Sequence, residues 1–159
     1  MRIATDPKER MMQLEATVNK IGENLREMKL ITDAYRFTPS AESASLEHKR
    51  QRRVTLEVHG GQRRQLRFEL KRLVWNLAAL KAPVPASSDA DHRKTVPCPF
   101  CAGSIKRHAV NCMHRQPNAY EDLAAGLLAA KAGSPLPEDA SINCQRGFAI
   151  GLELGDMVD

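Results

Sequence analysis

Cys98, Cys101, His108 and Cys112 fall within fifteen positions of one another and carry the richest side-chain chemistry in the 159-residue chain. In Cys98-Pro-Phe-Cys101 the two-residue spacer lets both thiolates converge on one cation, while backbone N–H groups of the turn point toward the sulfurs. Gly103 permits the tight backbone path that such a turn needs. His108 and Cys112 stand at i, i+4, so on a helix they project from one face and supply the two remaining ligands. Together the four make a closed tetrahedron of three sulfurs and one nitrogen, the usual setting of structural Zn²⁺. A closed site leaves no position for water, which argues against metal catalysis. His114 is an alternative to His108 or Cys112 as a ligand, and His92 reads as a linker residue. Two other readings stay open: a redox Cys-x-x-Cys, for which the chain offers no βαβ context, and buried thiols without an ion. Cys144 reads as a core thiol. No Walker-type loop, nucleophile elbow or paired carboxylates stand out, so no enzyme activity is expected.

The pattern Cys98-x2-Cys101-x6-His108-x3-Cys112 resembles a CCHC-type zinc finger. It is near the retroviral zinc knuckle, whose spacing is shorter and differently divided. It is also similar to fingers whose last two ligands lie on a helix. The opening Pro97-Cys-Pro-Phe-Cys-Ala-Gly103 resembles the start of small phage and bacterial zinc-ribbon proteins, which continue to a second Cys-x-x-Cys that this chain lacks. The resemblance covers residues 98–114. It implies zinc, and it implies contact with nucleic acid or protein. In zinc knuckles an aromatic between the ligands stacks on a base; the matching residue is Phe100, with Lys106 and Arg107 beside it.

Charge points the same way. The chain carries a net +5 and a pI near 9.2, but the excess is local. Residues 48–72 hold nine Lys and Arg against Glu57 and Glu69, whereas residues 116–159 hold two against seven acidic residues. A positive field of that kind attracts polyanions, and nucleic acid is the commonest in a cell. Arg52, Arg53, Arg63, Arg64, Arg67 and Lys71 are the expected phosphate contacts. A solvated helix face that only keeps the protein in solution, or an acidic protein partner, would carry the same charges. No apolar run approaches the ~20 residues needed to cross a bilayer. The opening MRIATDPKER lacks the apolar core of a secretory signal, so a reducing, cytoplasmic setting is expected.

These residues must be positioned by a frame that is mainly helical. Asp6-Pro7-Lys8-Glu9 carries a helix-start signature. Met11, Leu14, Val18, Ile21, Leu25 and Met28 then form one stripe by steps of three and four, which Tyr35 continues past Thr32. The stripe suits either a helix packed on its own chain or a dimerising coiled coil through residues 11–35. Thr38-Pro39 should end it. Ser40–Arg53 suits a second helix; Val54–Val58 alternates as a short strand or helix end, and Gly60-Gly61 signals a turn. From Gln62 to Lys81 a helix is expected on the stripe Leu66, Leu70, Leu73, Leu77 and Leu80, closing at Pro83. The two stripes should pack as an antiparallel hairpin. Residues 83–96 read as a linker. Asn118 should cap a short helix ending at Gly133, and residues 141–154 give no firm assignment. The expected organisation is a basic helical domain (1–82), a linker (83–96), a zinc-binding module (97–117) and an acidic C-terminal segment (118–159).

The function expected from this pattern is a zinc-binding, nucleic-acid-associated regulatory or accessory protein. The alternative is a non-enzymatic protein-binding adaptor, of the kind a mobile element uses to dock on a host complex.

Overall fold

The computed structural model of the chain describes residues 6–36, 45–82, 96–101, 112 and 116–155. Four helices dominate: α1 (Pro7–Arg36), α2 (Leu46–Lys81), α3 (Ala119–Lys131) and α4 (Ile142–Gly155). The described residues contain no β-strand, and no helix among them is long and apolar enough to cross a membrane.

α1 starts as its sequence demands, with the Glu9 amide donating to Asp6 Oδ2 at 3.3 Å. Leu14, Val18, Ile21 and Met28 of the stripe are buried, joined by Thr17 and Asn24. Arg10 Nε donates to the Leu80 carbonyl at 2.6 Å and a second Arg10 nitrogen donates to the Ala82 carbonyl. Further along, Asn24 Nδ2 donates to the Leu66 carbonyl at 3.2 Å. The start of α1 therefore lies beside the end of α2, and the hairpin is antiparallel. Arg10 also satisfies carbonyls at the C-terminal end of α2 that have no partner inside the helix. From Met11 to Met28 the stripe, open to either an intramolecular or a dimeric partner, packs on α2 and α3 of its own chain. Leu128 of α3 lies against Gly22, close enough that a Cβ there would sit 3.4 Å from its methyl.

α2 departs from expectation. Ser45 caps it, accepting from the His48 amide at 3.4 Å, and it runs unbroken for 36 residues through Gly60-Gly61. There is neither a strand at 54–58 nor a turn at 60–61. The glycines disfavour helix by about 1 kcal/mol each relative to alanine. Arg, Gln, Glu and Leu on both sides are strong helix formers, and continuation keeps the backbone hydrogen bonds that a break would forfeit. A Cβ built at either glycine meets nothing within 4 Å. Gly60→Ala and Gly61→Ala are accordingly expected to stabilise the chain by about 0.5–1 kcal/mol each, read as a higher thermal midpoint in circular dichroism.

Asn118 precedes α3 as expected but caps it differently. It adopts φ 62° and makes no side-chain capping bond; its Oδ1 instead accepts from Arg67 of α2 at 2.8 Å. The other end of α3 closes in a Schellman motif, with Gly133 at φ 63°, its amide donating to the Ala130 carbonyl, and the Ser134 amide donating to the Ala129 carbonyl. α4, which had no firm sequence assignment, packs closely on α3, and Lys81 of α2 pairs with Glu153 on it. Gly126, Gly147 and Gly151 bring the α3 and α4 backbones together: a Cβ at Gly151 would sit 2.8 Å from the Leu127 carbonyl oxygen.

One hydrophobic cluster draws on α1, α2 and α3 and includes Cys98, Phe100 and Cys112, with Ile150 and Leu154 of α4 packed against it. The cysteine segment thus shares the core of the helices. The linker, most of it in residues 83–95, lies outside the described residues.

Candidate metal centre

Cys98, Cys101 and Cys112 meet. Their three sulfurs lie within 4.8 Å of one another, and Cys98 Sγ and Cys112 Sγ are 3.7 Å apart. A disulfide would bring sulfurs to about 2.05 Å, and all four cysteines are free. Two thiolates on one tetrahedral Zn²⁺, each at about 2.3 Å, stand roughly 3.8 Å apart, so the Cys98–Cys112 separation is that of a tetrahedron edge. These three side chains could hold a metal ion.

The turn between Cys98 and Cys101 suits such a role. The Phe100 amide donates to Cys98 Sγ at 3.5 Å, the bond expected of a thiolate-presenting knuckle. Cys98 and Cys112 are 2% and 4% exposed, whereas Cys101 faces solvent. Burial pushes the Cys98 thiol up to about 12, against the smaller opposing pull of the Phe100 and Cys101 amides. A bound cation reverses that balance, because it favours the thiolate and releases the proton.

Phe100 has a second role, and it differs from the expected one. Its ring is fully buried and meets Tyr120 edge-on, with centroids 4.9 Å apart and planes at 85°. Trp75 Nε1 in turn donates to the Tyr120 hydroxyl at 3.2 Å. Burial pushes the Tyr120 hydroxyl upward, the Trp75 hydrogen bond opposes this, and the charges of Cys98 and Cys112 add to the rise. An aromatic chain therefore ties the knuckle to α3 and α2. Phe100 cannot stack on a base, because both faces of its ring are enclosed by protein. Tyr120 was not singled out from the sequence; its neighbourhood to Asn118 and the cysteine cluster was the available signal.

His108, His114, Lys106 and Arg107 lie outside the described residues. Cys144, expected in the core, is half-buried on α4; burial and the charge of Asp122 push its thiol upward.

The basic residues of α2 separate into two groups. Arg67 donates to Glu121 Oε1 at 2.6 Å and to Asn118 Oδ1, fastening α2 to the start of α3. Arg53 pairs with Glu57 at 3.2 Å on the surface. Arg63, Arg64 and Lys71 are exposed, and none forms an ion pair among the described residues. Arg52 is half-buried, and its Nε has no hydrogen-bond partner there. Lys49, Arg52, Arg53 and Arg64, with Leu56, Glu57 and Gly60, line an open cleft of about 510 Å³ on the flank of α2.

Comparisons with protein families, with curated proteins and with solved structures give no match for this chain.

Proposed function

We propose that the chain is a zinc-stapled, nucleic-acid-associated accessory protein whose metal is structural. Zn²⁺ would be held by Cys98, Cys101 and Cys112, with His108 as the fourth ligand and His114 as the competing one. Three soft thiolates within 4.8 Å of one another, two of them buried, favour Zn²⁺ over oxygen-seeking cations. When bound, the ion would hold residues 96–112 on the α2–α3 frame, a role that a chain with only 4% aromatic residues has reason to need. Nothing in this reading asks the metal for catalysis.

The observation that carries the nucleic-acid reading is the set of exposed cations on α2, Arg50, Arg63, Arg64 and Lys71, with no carboxylate partner among the described residues. Phosphate contact by such a set releases condensed counterions. Binding of a labelled oligonucleotide by the metal-loaded chain is expected to weaken steeply with salt, with log K falling against log[salt] at a slope of about −3 to −4 for these four charges. A slope near zero, or no binding at low salt, overturns the reading. The adaptor alternative draws on the exposed apolar side chains Leu30, Val54 and Val58. It predicts a protein that stays bound after nuclease treatment.

A further inference from the structure

Phe68 is 72% exposed, the most exposed of the large apolar side chains on α2. Leu66 and Leu70, its neighbours two positions away on either side, are buried. At 3.6 residues per turn, two positions are about 200° of rotation, so Phe68 stands on the face opposite the core. The residues sharing that face follow from the same spacing: Arg64 one turn before, Lys71 and Arg72 one turn after, and Arg53 and Arg50 further along. All five are exposed. The acidic residues near this face are Glu57, paired with Arg53, and Glu69, 3.7 Å from Arg72. Gly61, one turn before Arg64 and Gln65, puts bare backbone on the same face, with open space where a side chain would be.

An exposed phenyl ring gains nothing from water. No described residue covers it, and its surroundings select by charge what would. A hydrophobic partner helix would bring Arg64 and Lys71 out of water without counter-charge, which is costly. An extended polyanion with flat apolar faces satisfies both ring and cations. Single-stranded nucleic acid is that ligand: its phosphates pair with Lys and Arg, and its unpaired bases stack on aromatic rings. A duplex presents phosphates alone to such a face, because its bases are already stacked.

We propose that the outward face of α2 from Arg50 to Arg72 is a single-strand nucleic-acid platform, with Phe68 stacking on an unpaired base and Arg64, Lys71 and Arg72 holding the flanking phosphates. The proposal rests on the nucleic-acid reading above and names its substrate class. It also moves the stacking role from Phe100, which the core encloses, to an aromatic that solvent reaches.

The test is fluorescence anisotropy of the full, metal-loaded chain with a labelled oligothymidylate and with a duplex of equal length, at several salt concentrations. Wild type is expected to bind the single strand more tightly. Phe68→Ala should weaken single-strand binding by about 5- to 150-fold, the range for loss of one stacked base, while duplex affinity and the salt slope stay unchanged. Phe68→Trp should retain or improve binding. Arg64→Gln with Lys71→Gln should instead flatten the single-strand salt slope by about 1.4. Equal single-strand affinity of Phe68→Ala and wild type overturns the stacking proposal and leaves the electrostatic reading standing, as does tighter binding of the duplex. Salt-independent or absent binding to both probes overturns both readings. A chain that sediments as a dimer, and as a monomer once Phe68 is alanine, assigns the face to a second copy and overturns the proposal. Because the side chain is exposed, Phe68→Ala should leave the thermal midpoint unchanged.

Discussion

Cys98→Ser is expected to release the metal and to unseat the segment around it. The Cys98 sulfur stands 3.7 Å from that of Cys112 and receives the Phe100 amide. Serine offers a harder, less readily ionised oxygen, so the cation loses a ligand and a charge. An ion present at about 1,000 times its Kd adds roughly 4 kcal/mol to the stability of the state that binds it. For a chain of this size each kcal/mol moves the midpoint by about 2–4 °C, so a fall of about 8–16 °C is expected. Treatment of the wild type with a chelator should produce the same fall. Native mass spectrometry should show one ion on the wild type, none on Cys98→Ser and one on Cys144→Ser, because Cys144 lies outside the cluster of three sulfurs. Hydrogen exchange should accelerate at residues 96–101 and at the start of α3, where Phe100 meets Tyr120. The α1–α2 hairpin, held by Arg10, Asn24 and two apolar stripes, should stay protected. Loading should weaken as pH falls, since protons compete with the metal for each thiolate. Equal metal content in the Cys98 and Cys144 variants would refute the ligand assignment.

The parts of this structure that were legible in the sequence are those whose cause is local. The start of α1 is written in Asp6-Pro7-Lys8-Glu9, and its buried face in the spacing of Leu14, Val18, Ile21 and Met28. The meeting of Cys98 with Cys101 follows from a two-residue spacer, and Cys112 was legible as the next thiol in reach. Local signals misled where a longer element overruled them. Gly60-Gly61 reads as a turn in isolation, yet it lies inside a helix whose two halves each favour continuation. The two phenylalanines show a different failure. Phe100 sits between two of the clustered cysteines, where an aromatic in a zinc knuckle would face a nucleic acid, but Tyr120 arrives from twenty residues away to pack on it. Phe68 needed only the helix to be recognised as helix, since a residue two places from Leu66 and Leu70 must point away from them. The expected helix from Gln62 to Lys81 already turns Phe68 away from its stripe; that no other described element covers the ring is a property of the fold. Arg67 belongs to the same class: its charge counts toward a basic face in the sequence, while Glu121 and Asn118 claim it in the fold.

The α3–α4 contact was hidden most completely, and it yields the second large effect. Gly147→Ala and Gly126→Ala are each expected to destabilise the chain by about 1–3 kcal/mol or more, the range for forcing extra volume into a packed contact. A Cβ at Gly147 would fall inside the Leu123 carbonyl oxygen, and one at Gly126 inside that of Cys144. Backbone on one helix faces backbone on the other, so no side chain can rotate aside and the helices must separate. Separation uncovers Leu123 and Leu127, both fully buried, and loosens the helix whose first turn carries Tyr120 against Phe100. The variants should therefore show a midpoint lowered by about 2–12 °C and a faster loss of metal to chelator, although neither residue belongs to the three-sulfur cluster. Gly60→Ala is the control. It is the same substitution in a helix of the same chain, and its expected sign is opposite because open space replaces the carbonyl. If the midpoint of Gly147→Ala matched or exceeded that of the wild type, α3 and α4 could not approach as closely as the structure has them, and the seat of the metal loop would have to be sought elsewhere.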